Sequence, residues 1–529
     1  MNLGASLANS LWLASGLPDA FRFHQALESP ERAQSRWLRE TLVRHADSEF
    51  GRTHDFFGIR DPADFARRVP LCTYDDVEPY VARIASGERN VLARGPVTHL
   101  APTSGSTGAR KLVPFTQPLS AAFNAAVFPW LLDLVEQRPG LVGGPAYWSI
   151  SPLAGDAKTV EPCAVPIGFA DDAEYLGASR AWLVRQAMAV PSSVRFVRDV
   201  ERFWLLTLLA LLRHRDLRLI SIWHPSFMEL LTAAAATSWK DLVEAVGSGR
   251  NPWQDALPPG NSEWETRPDS ERAAELARIG PEDWPGWWPE LRILSCWGEQ
   301  AAEPGWRALV RRLPQVLVQS KGLLATECVV TIPLGGDRPL AVTSHYFEFL
   351  TEAGDVRGAH QLEKGRSYEV VVTNGGGLWR YRLGDVVECA GHLHETPSLR
   401  FVGRDRVSDL RGEKLSEAFV AEVLRTLWAG SERPAVATLR PRVSGGVAAY
   451  ELLVSDDPRS SGGDLGARLD AALSTNPHYA LARRLGQLSS ASVVKVSSDA
   501  GNESLRTTRG RIGDVKPRVL LDRETSQES

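Results

Sequence analysis

The sequence predicts an α/β protein with a large first domain and a small α+β domain at its C-terminal end. Its 529 residues are too many for one hydrophobic core. Helix-like and strand-like patterns alternate through the first 400 residues, as in α/β domains. Charge density rises sharply near residue 404. We therefore expect a large domain at residues 1–403, with mixed sheets, flanking helices and a small barrel-like part, and a small mobile domain at residues 404–529.

The first half of the chain begins with helices and then alternates. Residues 1–70 carry apolar side chains at helical spacing, and Thr73 is a predicted N-cap. The following segments are predicted, in order, to be an extended segment at 97–102, a loop, a helix at 117–136, a strand at 145–151, a helix at 201–214 and a strand at 217–223.

The second half continues the alternation. Residues 252–289 are predicted to be helices joined by loops. Predicted strands lie at 291–297, 316–320, 345–350 and 367–373, and, beyond a helix that begins at Ser416, at 435–442, 448–454 and 493–496, with a helix at 465–473. The strands that end at residues 297 and 320 run into small or polar residues. Ligands bind at such carboxyl ends in open α/β sheets.

Composition excludes several classes of protein. A net charge of −4 gives no polyanion-binding surface, so no nucleic-acid partner is expected. Five scattered cysteines without a CxxC pair indicate a reducing cytoplasm and no structural zinc. The start of the chain lacks the basic residues of a signal peptide, and the apolar run at 203–212 is too short to span a bilayer. We expect a cytoplasmic protein without membrane insertion, a monomer or weak oligomer.

The stretch Thr103–Lys111 combines hydroxyls, glycines and a lysine in nine residues. Glycines open main-chain N–H groups to an anion, hydroxyls add donors, and lysine adds a positive charge. The spacing differs from the Walker loop, because the lysine comes three residues after the second glycine with no Ser or Thr beside it. The stretch favours phosphate binding about as strongly as an ordinary polar loop.

A second dense motif is Leu378–Val387, in which Asp385 follows Leu-Gly at the predicted end of a strand. A carboxylate there can accept hydrogen bonds from a sugar diol, or can simply stabilise a turn. The charged segment Arg400–Leu415 follows, and we interpret it as a hinge between the two domains.

The order of the motifs resembles the adenylate-forming ligases. A TSG-STG-xxK loop, Ala325-Thr326-Glu327, a Y-R-x-G-D segment and a Gly403-Arg404-Asp405 hinge follow one another. Four further segments, Val69–Val77, His345–Phe349, Tyr381–Asp385 and Val515–Arg518, resemble the auxin-responsive acyl acid–amido synthetase family, in its bacterial branch. The resemblance covers residues 40–522 and implies a two-step reaction. ATP and a small carboxylic acid give an acyl-adenylate and pyrophosphate, and an amine, usually of an amino acid, then takes the acyl group.

The resemblance also implies roles for particular residues. Lys111 and the loop residues Ser104, Gly105, Ser106, Thr107 and Gly108 would hold the β- and γ-phosphates, Glu327 would hold Mg²⁺ with Thr326 on the phosphate side, and Gly298 would contact the nucleotide. Asp385 would bind the ribose hydroxyls with help from Arg404, and Lys516 would reach the α-phosphate from the small domain. Catalysis is assigned to Lys516, Lys111 and Glu327. The first step needs charge control rather than a nucleophile, because two anions must meet.

Some features leave alternatives open. Many relatives carry a tyrosine four residues before the motif glutamate, where this chain has Leu323, so another group must contact adenine. Trp148, Trp223 and His224 are candidates for the acyl pocket, although such residues are more often simply packed, and we do not expect His224 to be catalytic. An acyl-CoA-type ligase with a thiol acceptor and a non-catalytic nucleotide-binding homologue remain alternatives. A Ser-His-Asp hydrolase is disfavoured, because no G-x-S-x-G motif is present.

Overall fold

The computed structural model describes residues 3–103, 111–150, 163–169, 178–258, 260, 262–264, 267–299, 302–351, 353–404, 407–428, 434, 437–444, 446–455, 464–496 and 520–521. The chain forms two compact units. The large unit comprises residues 1–102 and 112–403, and the small unit comprises residues 103–111 and 404–529.

Helices dominate the start of the large unit and alternate with strands after it. The described helices are α1 Leu3–Leu27, α2 Pro30–His45, α3 Glu49–Thr53, α4 Pro62–Arg68, α5 Tyr74–Ala85, α6 Gln117–Gln137, α7 Ala178–Ala187, α8 Val200–Leu212, α9 Ser226–Ser248, α10 Ser270–Ile279, α11 Trp284–Trp287 and α12 Glu303–Arg312. The predicted cap of α5 is confirmed, since the Asp76 carboxylate accepts from the N–H of Thr73 at 2.8 Å and from its hydroxyl at 3.0 Å.

One helix, α6, is long and apolar enough to cross a membrane by length and composition alone. More than half of its apolar window, 56%, is buried within the protein. Its Leu134 packs against Leu219 and Ile293 of the neighbouring sheet. These contacts make it a core helix of the large unit.

The large unit contains a two-stranded hairpin and two larger sheets. Strands β1 His99–Pro102 and β2 Leu112–Phe115 pair antiparallel. A parallel sheet follows, in the order β3 Ala146–Trp148, β4 Leu219–Ser221, β5 Ile293–Cys296 and β6 Leu317–Ser320. A five-stranded sheet has the order β11-β10-β9-β7-β8, with β7 Tyr346–Leu350, β8 Val356–Gly358, β9 Ser367–Thr373, β10 Tyr381–Leu393 and β11 Thr396–Arg404. Strands β7 to β10 pair antiparallel in the part of the sequence expected to be barrel-like.

The small unit is an α+β assembly with its own core. Its described elements are β12 Val407–Ser408, β13 Leu415–Ser416, α13 Glu417–Leu427, β14 Ala437–Ser444, β15 Val447–Ser455, α14 Asp464–Leu473, α15 Pro477–Arg484 and β16 Ser492–Val496. Strand β15 pairs antiparallel with β14 and parallel with β16. On the other side of β14, Leu520 forms a parallel bridge with Leu439. Apolar side chains of the strands and helices, with Tyr450 and Tyr479, form one buried cluster.

Candidate active site

The predicted phosphate-binding stretch joins β1 to β2. Pro102 pairs with Leu112 at the end of the hairpin, and the N–H of Thr103 donates to the carbonyl of Lys111 at 2.8 Å. Lys111 is half-buried. The intervening Ser104, Gly105, Ser106, Thr107 and Gly108 lie outside the described residues. The two strands therefore fix both ends of this stretch. A connection between two paired strands is a place where a nucleotide-binding loop is expected.

Hydrogen bonds connect the base of this hairpin to β10. The N–H of Leu112 donates to the phenolic oxygen of Tyr74 at 2.8 Å. Two residues before Tyr74, Cys72 forms a parallel bridge with Tyr381, and its main chain makes hydrogen bonds of 3.1 and 2.9 Å to the residues on either side of Tyr381. The Val69–Val77 and Tyr381–Asp385 motifs are thus neighbours in space.

The motif Ala325-Thr326-Glu327 forms a tight hairpin turn. Ala325 and Cys328 exchange main-chain hydrogen bonds, from Ala325 N–H at 2.9 Å and from Cys328 N–H at 3.3 Å. Leu324 and Val329 continue the pairing as an antiparallel bridge. A turn of this kind places the two central residues, Thr326 and Glu327, at its tip. Both residues are half-buried, so each is partly open to solvent.

Asn374 holds this turn from the loop between β9 and β10. Its side-chain N–H donates to the carbonyl of Glu327 at 2.8 Å, and its side-chain oxygen accepts from the N–H groups of Gly376 and Leu378 at 2.9 and 3.1 Å. The same loop receives a 2.8 Å hydrogen bond from the hydroxyl of Thr116, the residue after β2. One buried amide therefore fixes the position of Glu327 against two strands. Asn374 is not among the predicted site residues, although the Asn-Gly-Gly-Gly run is a recognisable turn signal.

Asp385 lies within β10, whereas the sequence predicts it at the end of a strand. The strand runs eight residues further, to Leu393, and its pairing with β9 shifts register between Arg382 and Val386. Gly384, in the bulge, has a φ of +74°, which glycine adopts without strain. The expectation was wrong because the sequence of a bulge resembles that of a turn. Asp385 is 1% exposed.

Two predicted site carboxylates lie near one buried thiol. Burial raises the pKa of Cys328 well above its usual value, and the negative charges of Glu327 and Asp385 raise it further. Glu327 is the neighbour of Cys328 in sequence, but Asp385 is far along the chain. The fold therefore brings the predicted metal ligand and the predicted ribose ligand into one region of the large unit.

Another charged residue of the second motif, Arg380, has a scaffold role. Arg380, with a φ of +51°, forms a two-pronged ion pair with Glu348 at 2.8 and 2.9 Å, and both side chains are buried. Its remaining terminal nitrogen donates to the carbonyls of Ala66 and Val69 at 2.9 and 2.8 Å. This network ties β7 and β10 to the end of α4.

The remaining predicted residues have different local settings. A side chain at Gly298 would approach Ser320 Oγ and Trp306 Cγ to 2.9 Å, so close packing requires glycine there. Leu323 is buried in the main core, and its N–H donates to Thr331 Oγ1 at 2.8 Å. The main chain of Arg404 ends β11, but its side chain, like the whole of Lys516, lies outside the described residues.

The three candidates for the acyl pocket also lie in different surroundings. His224 Nδ1 makes a 2.8 Å hydrogen bond with Ser226 Oγ at the start of α9, a local contact that needs no catalytic role. Trp223 is 51% exposed at the carboxyl end of β4. Trp148 lines a cavity of about 360 Å³ between α7 and α8. Within the described ranges, no group of three or more His, Cys, Asp or Glu side chains is arranged to hold a metal ion.

Comparison with solved structures identifies the fold. The chain matches the acyl acid amido synthetase GH3.15 with a TM-score of 0.62 at 19% identity, over 95% of this chain and 93% of that one. A second structure, AtGH3.15 in complex with 2,4-DB, gives 0.64 at 19% identity, with 96% and 95% covered. The fold is therefore that of the adenylate-forming acyl acid amido synthetases.

Sequence comparison identifies the family. The GH3 family N-terminal domain matches residues 20–316, more than half of the chain, and the GH3 family central domain matches residues 339–404. The chain belongs to the GH3 family. Curated relatives include indole-3-acetic acid-amido synthetase GH3.3 of Arabidopsis thaliana, 26% identical over 75% of this chain and 72% of the relative. Jasmonoyl–L-amino acid synthetase JAR6 of Nicotiana attenuata is 25% identical over 73% and 71%. These matches confirm the predicted membership of the acyl acid–amido synthetase family.

Proposed function

We propose that this protein is an ATP-dependent acyl acid–amido synthetase. It adenylates a small carboxylic acid, releases pyrophosphate, and transfers the acyl group to an amine, in our proposal that of an amino acid. The observation that carries the proposal is the Glu327 turn, which Asn374 fixes with a 2.8 Å hydrogen bond in the same region of the large unit as Asp385. Membership of a family whose relatives are named as amido synthetases supports the same reaction.

In this proposal the stretch Thr103–Lys111 and the turns bind different parts of the nucleotide. Lys111 and the main-chain N–H groups of Ser104–Gly108 bind the β- and γ-phosphates, Thr326 donates to a phosphate, and Gly298 contacts the nucleotide. Asp385 accepts from the ribose hydroxyls, assisted by Arg404. Hydrogen-bond donors and positive charge placed at the phosphates would stabilise the charge that develops on the departing pyrophosphate.

The Glu327 carboxylate fits a Mg²⁺ ion that ATP itself brings. Mg²⁺ keeps several waters and takes one or two protein carboxylates in addition to phosphate oxygens. A half-buried carboxylate at the tip of a turn meets that need without a cage of protein ligands. When bound, the ion would neutralise charge on the phosphates.

The proposal gives the two domains separate tasks. Residues 1–403 bind ATP and the acid, and residues 404–529 move between two orientations, one for each half-reaction. Lys516 then contacts the α-phosphate and the attacked carboxylate only in the adenylating orientation. We also propose a cytoplasmic location, because all five cysteines are free, and a monomer or weak oligomer.

The test is acid-dependent release of pyrophosphate from ATP and Mg²⁺, followed by transfer to panels of amino acids and to coenzyme A. We expect pyrophosphate release with some acids and an amide product with some amino acids. Glu327→Gln should lower the rate and raise the Mg²⁺ requirement. The matched control is Glu363→Gln, since Glu363 is an exposed carboxylate. Thioester formation without any amide would favour the acyl-CoA-type alternative, and no release with any acid would favour the non-catalytic one.

Lys111 and Lys516 provide a second test of the same proposal. Lys111→Ala should reduce adenylation by roughly 10²-fold, as expected for the loss of one electrostatic stabiliser. Lys516→Ala should impair adenylation but spare the reaction of a supplied acyl-adenylate with the amine. Single-turnover kinetics of each half-reaction measures both. Equal losses in both half-reactions for the Lys516 variant would count against two domain orientations.

A further inference from the structure

On the face of the parallel sheet that lies under α6, the side chains change from apolar to polar along the strands. On this face the strand register places Ala146, Leu219, Ile293 and Leu317 in one row across the four strands. Leu134 and Trp130 of α6 pack on this row. The row is entirely apolar, as expected beneath a core helix.

The next row towards the carboxyl ends is mostly polar. Two residues further along each strand, the same register aligns Trp148, Ser221, Ser295 and Gln319. Side chains two residues apart in a strand share a face, so this row also lies on the α6 side. Ser295 is 0% exposed, and within the described part of the chain its hydroxyl has no hydrogen-bond partner. Such a group costs stability, which suggests that a ligand completes it.

Lys321 brings a positive charge to this polar row. It lies two residues beyond Gln319, and its ammonium donates to Ser221 Oγ at 2.6 Å. The same ammonium is 5.9 Å from the ring centre of Trp130 and 5.6 Å from that of Trp223. The Trp130 indole is itself fixed by a 2.7 Å hydrogen bond from its N–H to Gln319.

Together these groups form a site with a defined chemical preference. The ammonium and the serine hydroxyls can donate to a ligand, and the indoles give it flat apolar walls. The site therefore fits a group that accepts hydrogen bonds and carries negative charge, attached to an apolar body. A purely hydrocarbon group would leave the Ser295 hydroxyl without such a partner, at a cost in affinity.

We propose that Lys321, Ser221 and Ser295 bind a second acidic group of the acyl acid, so that the substrate is a dicarboxylic acid. This inference rests on the proposed function. The reacting carboxylate must face the nucleotide, which that proposal assigns to Lys111, Glu327 and Asp385. The other end of the acid then faces the parallel sheet, where the carboxyl ends of strands line ligand sites. Lys321 is thus a specificity-determining residue.

The test compares matched pairs of acids, hexanoate with adipate and 3-phenylpropanoate with 3-(4-carboxyphenyl)propanoate. For each acid, kcat/KM is measured by pyrophosphate release. We expect the wild-type protein to prefer the diacid of at least one pair. Lys321→Met should reduce that preference roughly 10- to 100-fold, the range for one charge-assisted hydrogen bond. Lys321→Arg should retain part of it, and Lys364→Met, at an exposed lysine, should leave it unchanged.

Binding of the same acids without ATP, measured by titration calorimetry, separates this inference from the proposed function. Diacid binding that Lys321→Met abolishes, without pyrophosphate release from any acid, would support the site and contradict the synthetase. Pyrophosphate release that Lys321→Met lowers equally for monoacid and diacid would overturn the inference and leave the synthetase standing. A wild-type preference for the monoacid in both pairs, or no binding of either diacid, would also overturn it.

Discussion

The large unit contains two buried polar regions that differ in how fully their hydrogen bonds are made. In the first, Arg380 has carboxylate and carbonyl partners for its described donors, and Glu348 has both oxygens paired. In the second, the Ser295 hydroxyl, in one row with Ser221 and Gln319, has no hydrogen-bond partner among the described residues. A complete network stabilises a scaffold, whereas an incomplete one indicates a place for a ligand.

The difference between these regions also shows that a motif rich in charged residues need not be a ligand site throughout. Of the charged residues in Leu378–Val387, Arg380 builds the scaffold, Arg382 pairs on the surface with Glu369, and Asp385 is the one assigned to ligand binding. Charge in a motif is therefore not a guide to catalysis until its partners are known. The predictions below test this contrast, in order of decreasing effect.

The largest effect is expected when the complete network is broken. Arg380→Met would leave the Glu348 carboxylate buried without its partner, which typically costs about 3–5 kcal/mol. The measurement is the free energy of unfolding of the large unit in urea. Arg382→Met is the matched control, because its ion pair with Glu369 lies at an exposed arginine and should contribute no more than about 1 kcal/mol. Similar losses for the two variants would contradict the assignment of Arg380 to the scaffold.

The next largest effect is a different pH dependence of stability in the two units. In the large unit, burial lowers the pKa of His45 to about 4 and that of His345 to about 3. Both histidines are neutral when folded, so their contribution to stability is present above pH 6.5 and is lost as the pH falls towards these values. In the small unit, burial raises the pKa of Glu413 to about 7, aided by the charge of Asp409. Its contribution is present below about pH 4.5 and is lost as the pH rises through 7.

The two units should therefore respond to pH in opposite directions between pH 5 and 6.5. The shift of Glu413 corresponds to about 3 kcal/mol over its full range. Hydrogen exchange followed separately in each unit, corrected for the intrinsic pH dependence of exchange, measures both slopes. Glu413→Gln should flatten the slope of the small unit and leave that of the large unit unchanged. Parallel slopes in the wild-type protein would show that other groups dominate.

A smaller effect is expected at the residue that holds the Glu327 turn. Asn374→Ala leaves the carbonyl of Glu327 and two N–H groups of its own loop without their partner. Each unsatisfied buried group costs about 1–3 kcal/mol, and relaxation of the loop should keep the total near the lower end. Urea unfolding measures the loss. If Asn374→Ala left both stability and the Mg²⁺ requirement unchanged, the turn would not depend on this amide.

The smallest effect is expected where the hydrogen bonding is incomplete. Ser295→Ala removes a buried hydroxyl without a described partner, so stability should change by no more than about 0.5 kcal/mol, or rise. The comparison is Ser344→Ala, where an equally buried hydroxyl donates to the carbonyl of Ala341 at 2.6 Å and its loss should cost about 1 kcal/mol. A large loss for Ser295→Ala would mean that the hydroxyl has a structural partner.

The sequence predicted several regular elements, because their signals are local. The Thr73 cap, helix α6 and strands β7 and β9 lie where periodicity and capping residues indicated. Helix α15 was missed, although Asn476 caps it and Pro477 begins it, because its eight residues carry little periodicity. The length of β10 was also missed, because a bulge interrupts the pattern at Gly384.

The site was predictable in part. The order of the motifs identified Glu327 and Asp385, but nothing local in the sequence indicates that both approach Cys328, since that depends on how β10 packs. Lys321 was not singled out. Its setting arises from register across the parallel sheet, which aligns Ser221 with Gln319 although almost 100 residues separate them.

The bridge between Leu520 and Leu439 has a practical consequence for the end of the chain. Leu520 and Leu521 cover the outer side of β14, and the N–H of Leu521 donates to the carbonyl of Leu439 at 2.9 Å. A protein truncated before residue 520 would leave that edge free to pair with another molecule. Such a truncation should aggregate during expression, whereas an affinity tag fused after residue 529 leaves the edge covered.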